Sequence, residues 1–283
     1  RLLSARETLK MEPGLTKEVT LSLYAPSSAT VHPWELGIAA WEAAKELGLD
    51  TKFCSEVTAI WREKDHFCLE INQEQILRSR TVVNGAGILA DQVHALYQEP
   101  LIRIRPELAE YVLLEPEDDR APGHIIFCET EDHGKGITLV PTVNGKILAG
   151  TVNRLAEADA PLATSALGRE KLREAYSQIF PSLADSMIVR SFAGLRPNPY
   201  RPDHPKMRLC GLEPLITETK DGLVSLIGIK TPGLTCANEL GKRISSRVLE
   251  FLNRKDAGCQ EILPRRRYPE YLEATEHQRI ICR

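Results

Sequence analysis

Thr81-Val82-Val83-Asn84-Gly85-Ala86-Gly87-Ile88-Leu89-Ala90-Asp91 is the stretch on which the reading of this chain turns. An apolar β-branched run enters a Gly-Ala-Gly turn, and a helical pattern over Ala90 to Tyr97 leaves it. This is the G-x-G-x-x-A form between a strand and a helix. Its glycines let backbone approach a pyrophosphate, and the following helix offers free N–H groups and the positive end of its dipole. A full dinucleotide fingerprint also wants an acidic residue about 20 positions on. The chain instead reads Ile102-Arg103-Ile104-Arg105-Pro106, which is basic. The turn is therefore either a secondary phosphate-facing turn or a tight structural one.

Upstream, Pro33 to Gly48 reads as an amphipathic helix. Trp34, Ile38 and Trp41 recur at helical spacing, Pro33 suits the first turn and Gly48 the stop. Strands are expected at Asp50 to Phe53, Val57 to Arg62, Phe67 to Ile71, Ile76-Leu77 and Thr81 to Asn84. Downstream the pattern changes. Tyr111 to Leu114, His124 to Cys128, Gly136 to Val140 and Lys146 to Gly150 read as an antiparallel sheet. Asn144-Gly145 supplies a hairpin turn, because both residues tolerate positive φ. A helix over Ala166 to Ile179, strands at Met187 to Phe192 and Leu223 to Gly228, and a last helix over Thr235 to Asn253 complete the order.

The fold class expected is mixed α/β: an incomplete nucleotide-binding part interleaved with an antiparallel-sheet substrate domain. The expected parts are 1–100, the rest of the nucleotide-binding part with a helical insertion; 101–192, the substrate domain; 193–253, the return with the final helix; and 254–283, a charged, Pro-rich linker tail.

Composition narrows the classes. Across 283 residues the formal net charge is -3, without the basic excess of a nucleic-acid binder. The one basic run, Arg265-Arg266-Arg267, reads as a solvated connector. No uncharged apolar run approaches the roughly 18 residues of a membrane span. The opening Arg1-Leu2-Leu3-Ser4-Ala5-Arg6-Glu7 has neither an initiator Met nor an apolar signal core, so the sequence reads as beginning inside something longer. The 7 cysteines are irregularly spaced with no C-x-x-C, which argues against a disulfide framework and a zinc site; no metal is expected, and a reducing cytoplasm is the simplest compartment.

Two further motifs carry chemistry. Gly228-Ile229-Lys230-Thr231-Pro232-Gly233-Leu234-Thr235-Cys236-Ala237 joins a strand to the last helix. It either holds partial negative charge at that helix N-terminus or merely caps the helix. Ser191-Phe192-Ala193-Gly194-Leu195-Arg196-Pro197 reads as a strand end followed by Gly and Arg. Arg196 there either grips a carboxylate or phosphate with its planar fork or pairs with a local acid. Among 7 scattered histidines with no metal spacing, His133, beside Gly134 and Gly136, is the candidate proton acceptor.

Taken in order, several segments resemble the D-amino-acid-oxidase-like flavoprotein superfamily, in its glycerol-3-phosphate dehydrogenase and L-2-hydroxyglutarate oxidase branches. They are Leu23-Tyr24-Ala25-Pro26 with Val31-His32-Pro33-Trp34-Glu35-Leu36, Glu56-Val57-Thr58-Ala59-Ile60, Val83 to Gly87, Glu110 to Leu114, Leu139 to Gly145, Phe192 to Pro197 and Thr231 to Thr235. The resemblance runs from about Arg6 to Leu252.

It implies a GR2-like FAD fold and oxidation of an alcohol or amine carbon by hydride transfer to flavin N5. On it, Val57 touches the adenine side by its backbone, and Asn84, Ala86 and Gly87 approach the nucleotide. Gly194, Leu195, Thr231, Pro232, Gly233, Leu234 and Thr235 embrace the flavin, with Gly233 to Thr235 bringing N–H groups toward its N1/O2 edge. Arg196 binds a small anionic substrate. Lys230 stands where many relatives carry Glu or His, and Leu108-Ala109-Glu110 where they often carry Arg-Gly. The family's first strand and G-x-G-x-x-G have no counterpart in this sequence. The resemblance also places a Cys-rich [2Fe-2S]-type domain or another electron-transfer partner beyond the C-terminus, with Cys282 as a first ligand; a lone cysteine without that role is the plain alternative. Two competing readings remain at this point: a non-catalytic flavoprotein-like subunit or scaffold, and an NAD-linked enzyme that needs a second βαβ half after Gly87.

Overall fold

The computed structural model describes residues 1–117, 121–128, 136–208, 216–255 and 258, with the backbone alone for 204–208. In chain order the elements are β1 (Leu2–Ser4), α1 (Ala5–Met11), β2 (Leu21–Leu23), α2 (Pro33–Glu46), β3 (Val57–Glu63), β4 (His66–Ile71), β5 (Gln75–Ser79) and β6 (Val82–Asn84). A 3-10 turn (Gly87–Leu89) leads to α3 (Ala90–Ala95). There follow β7 (Arg103–Glu115), β8 (Ile126–Phe127), β9 (Thr138–Pro141), β10 (Ile147–Leu155), α4 (Ala166–Ile179), β11 (Met187–Arg201), β12 (His204–Arg208), β13 (Ile216–Glu218), β14 (Leu223–Leu226) and α5 (Gly233–Phe251). The mixed α/β class is as expected. One compact unit comprises Arg1–Thr30 and Ser55–Lys255; Val31–Cys54 belongs to a second.

The largest sheet has the order β12-β11-β7-β10-β9-β8 and is antiparallel throughout. Its β9–β10 hairpin closes on Asn144-Gly145, with Gly145 at φ +75. Alternation along β7 sends Leu108, Glu110, Val112 and Leu114 to one face, all buried. There Val112, Leu114, Ile147 and Ala149 pack with Leu172 and Tyr176 of α4 and with Phe180 and Leu183 after it. Helix α4 starts at Ser165, whose Oγ accepts from the Gly168 amide at 2.8 Å. The buried Glu110 carboxylate accepts from the Ser165 amide at 2.8 Å, placing negative charge at the positive end of α4.

A smaller sheet, β13-β14-β6, pairs β14 with β6 in parallel, Asn84 opposite Ser225. The β3-β4-β5 meander supplies Ile60, Phe67, Leu69 and Ile71 to a second apolar cluster with Leu223, against which Val82, Val93 and Tyr97 pack.

Four expectations need correction. No strand forms at Asp50 to Phe53; there Thr51 Oγ1 accepts from Trp41 Nε1 at 3.1 Å and the Phe53 ring packs on Trp41, so the segment folds back on α2. Strand β11 continues past Phe192 to Arg201, so Arg196 stands within a strand rather than at its end; pairing with β7 persists through Tyr200 opposite Arg103. The expected boundary at 192/193 thus falls inside one strand. Finally, α3 is followed directly by β7 of the antiparallel sheet, not by a second βαβ half, which ends the NAD-linked reading. The short β1–α1–β2 segment escaped the sequence because its strands are only 3 residues each.

Candidate functional site

Two connections leave the C-terminal ends of the parallel strands β6 and β14, where open α/β sheets take their ligands. The first is the Gly85-Ala86-Gly87 turn. Gly87 has φ +60, and a Cβ at Gly85 or Gly87 would meet nothing within 4 Å, so the turn has open space beside it. Asn84 sets its shape. Its buried amide donates to the Ala90 carbonyl at 2.7 Å and to Ser225 Oγ at 3.1 Å, and its Oδ1 accepts from the Ala86 amide at 3.1 Å. The Asn84 side chain is thus engaged inside the protein, and the groups left to face a nucleotide are on the backbone. Behind it, Ser225 Oγ lies 2.8 Å from Nδ1 of the fully buried His94. Burial, helped by the Arg103 charge, holds His94 below the usual imidazole range, which keeps it neutral.

The second connection runs from Gly228, at φ +77, to α5. The Gly233 amide donates to the Lys230 carbonyl at 2.8 Å. A Cβ at Gly233 would fall 2.5 Å from Ile229 Cγ2, so only glycine fits there. No side chain caps α5, leaving amides of its first turn available. Thr231, Pro232, Leu234 and Thr235 are exposed, while Lys230 is half-buried. Val57 is set apart from these loops, at the start of β3, where it packs against the second apolar cluster.

The third component is the face of the large sheet opposite α4. Pairing of β7 with β11 sets Glu107 against Arg196, Ala109 against Gly194 and Tyr111 against Phe192. Arg196 Nη1 donates to Glu107 Oε2 at 3.3 Å, and Asn198 Nδ2 donates to the same oxygen at 3.1 Å. Arg196 Nε is buried with no acceptor among the described residues. A buried donor of that kind is costly unless something accepts from it. Tyr111 and Phe192 stack at 5.6 Å between centroids, 13° from parallel. Burial raises the Tyr111 hydroxyl above its usual range, against the opposing Arg196 charge. On β10, Gly150 lies against that ring: a Cβ there would be 2.2 Å from Tyr111 Cδ1. The small pair Gly194 and Ala109 therefore separates a charged end from an aromatic end, and a Cβ at Gly194 meets nothing within 4 Å. Leu195 is opposite Leu108, on the α4 side, which leaves only its backbone toward the open face.

The Gly87–Leu89 turn packs against β7 and against β11, the strand that carries Arg196. His133, Cys282 and the Arg265–Arg267 run lie outside the described residues. Sequence reading missed Glu107, Tyr111, Phe192 and Asn198 as members of the Arg196 face. The signal was present as period-2 alternation, but it takes the β7–β11 register to align the two strands. No described helix is long and apolar enough to cross a membrane.

A family profile described as FAD dependent oxidoreductase matches residues 1–247. Over 281 residues the chain is 27% identical to a glycerol 3-phosphate dehydrogenase of Caloramator mitchellensis, covering 98% of this chain and 56% of that protein. The fold is similar to that of L-alpha-glycerophosphate oxidase from Mycoplasma pneumoniae with FAD bound (TM-score 0.75, 22% identity, 91% of this chain and 66% of that one). It is also similar to glycine oxidase from Geobacillus kaustophilus (TM-score 0.72, 20% identity, 91% of this chain and 64% of that one). The chain thus spans a little over half the length of the Caloramator relative.

Proposed function

The chain belongs to the FAD dependent oxidoreductase family, and from that footing we propose that it serves in oxidation of a small anionic alcohol, glycerol 3-phosphate or a 2-hydroxyacid. The observation that carries this reading is the buried Nε of Arg196, without an acceptor among the described residues, on the open face of a strand that packs against the Gly87–Leu89 turn. A guanidinium already tied to Glu107 through Nη1 keeps Nε and its second amino group for a phosphate or carboxylate. The resulting orientation sets the carbinol carbon over the small Gly194 and Ala109 pair, flanked by the Tyr111 and Phe192 rings.

The features present fit a flavin nucleotide. The open turn at Gly85 to Gly87 and the uncapped start of α5 offer backbone N–H groups, and the shallow Gly194 stretch has room for a planar ring. Bound FAD supplies the hydride acceptor, N5. On this reading Ala86 and Gly87 lie along the nucleotide, with Asn84 holding their turn and Val57 lending backbone on the adenine side. Leu234 and Thr235 direct N–H groups to the N1/O2 edge, with Thr231, Pro232, Gly194 and Leu195 alongside, while the Gly233 amide, already given to the Lys230 carbonyl, closes the loop behind them. Lys230 adds positive charge near that edge, where reduction builds negative charge. His133 accepts the hydroxyl proton. The electrons then pass to an acceptor, for which an iron–sulfur domain or other electron-transfer partner is the proposed class. A cytoplasmic setting suits the free thiols of Cys68, Cys128 and Cys236.

The test uses the purified protein, reconstituted with FAD and mixed without oxygen with glycerol 3-phosphate and, separately, a panel of 2-hydroxyacids. Bleaching of the flavin by one of them is expected. Arg196→Lys should then lower kcat/KM about 10- to 100-fold, since a charged hydrogen bond contributes about 1.5–3 kcal/mol. A protein that takes up no flavin, or is reduced equally well after Arg196→Lys, contradicts the reading.

A further inference from the structure

The β3-β4-β5 meander has a second face that the flavin reading leaves unused. Its inward side carries Ile60, Phe67, Leu69 and Ile71. Cross-strand pairs Glu63 with His66, Trp61 with Cys68 and Cys68 with Arg78 place those five polar or sulfur-bearing and aromatic side chains on the other side. Three of them converge: a Glu63 carboxylate oxygen, a ring nitrogen of His66 and Cys68 Sγ all lie within 4.8 Å of one another.

Two of the three ligand atoms, on His66 and Glu63, are disposed toward a cation. His66 Nε2 is buried with no hydrogen-bond partner among the described residues, 3.9 Å from Glu63 Oε2. Its other nitrogen, Nδ1, sits 3.2 Å from Asp65 Oδ1. A carboxylate on the far nitrogen is the usual means by which a metal-bound histidine is oriented and made more basic. Glu63 Oε1 is fixed by Trp61 Nε1 at 3.0 Å, which leaves Oε2 turned to the cluster. Sulfur, imidazole nitrogen and carboxylate oxygen together form a donor set for zinc and its borderline neighbours, not for magnesium or calcium, which take oxygen alone. Arg78, 3.8 Å from Glu63 and well exposed, opposes a cation at the cluster and has solvent into which to swing.

We propose that Glu63, His66 and Cys68 form a three-ligand site for zinc or a similar divalent transition cation. On binding, the Cys68 thiol gives its proton to solvent and a sulfur–metal bond forms; no electron moves. Linear spacing hid the site because Glu63 and His66 face each other across a two-residue hairpin, whose Lys64 has φ +51, rather than in a C-x-x-C pattern.

The full chain, reduced and freed of metal, is titrated with cobalt(II). We expect thiolate-to-cobalt charge-transfer absorption that saturates at one cobalt per chain and is bleached by zinc(II). Cys68→Ser should abolish it, Cys54→Ser and Cys236→Ser should keep it, and His66→Gln should weaken cobalt binding by about tenfold or more. Circular dichroism checks that Cys68→Ser stays folded; if it does not, His66→Gln alone decides. Absence of the band in the full chain, its survival in Cys68→Ser, or an unchanged cobalt affinity in His66→Gln overturns the proposal.

Discussion

The sheet face under α4 and the turn after β6 hold their shapes by opposite means. Under α4 the contacts are apolar and extensive, with Val112, Leu114, Leu139, Leu172 and Tyr176 fully out of solvent. After β6 the shape rests on a short polar chain of Asn84, Ser225 and His94. The first arrangement depends on summed area and tolerates local change in proportion to the volume lost. The second depends on these bonds being kept, since each one lost orphans a buried polar group at more cost than the bond itself contributed. The apolar side thus provides rigidity for a sheet whose other face carries Arg196, while the polar side fixes the backbone direction of a few amides.

Leu172→Ala is expected to produce the largest loss, about 2–5 kcal/mol in urea unfolding, because it opens a cavity between α4 and the sheet. A loss well under that range would break the comparison, showing that α4 is not what supports the sheet. Ser225→Ala should cost about 1–3 kcal/mol by leaving His94 Nδ1 and one Asn84 donor unsatisfied, and it should weaken FAD binding more than Leu172→Ala does. Equal effects of the two variants on FAD affinity would contradict the assignment of the polar chain to the turn.

His94 gives the same region a pH dependence. Its folded-state pKa is depressed, chiefly by burial and then by Arg103, so the unfolded chain binds the proton more readily. Stability contributed by the neutral ring is present above the ordinary imidazole value of about 6.5. It is lost progressively as pH falls below that value toward the depressed one. Unfolding midpoints measured down through this window should fall, and His94→Gln should flatten the slope. The smallest stability effect is expected at Gly194→Ala, within about 0.5 kcal/mol, since the added methyl meets nothing. The same change should lower kcat/KM, and a neutral result there would move the ligand off this face.

The sequence made the periodic elements legible. Helix α4 spans Ala166–Ile179 as its apolar spacing predicts, and the Asn144-Gly145 turn joins the strands expected on either side. Functional geometry was less legible, because it is made by register. Glu107 and Arg196 are distant in sequence, and neither alternation pattern alone says which residue of the other strand it meets. Asn84 illustrates another limit: within a Gly-rich motif it reads as a ligand contact, and only its hydrogen bonds to Ala90, Ser225 and Ala86 show where the amide is used. Arg196 was visible as a fork for an anion, but its partner Glu107 and its position inside a strand were not.

Gly150 beneath the Tyr111 ring also bears on how the enzyme family can drift. Any L-residue at 150 collides with that ring, so a lineage cannot enlarge position 150 first; it must shrink or remove Tyr111 and only then change 150. The order of substitutions is constrained even where both endpoints fold. A mutational library that randomises position 150 alone will find nothing there, whereas one that starts from a reduced Tyr111, or varies both together, opens a pocket wall.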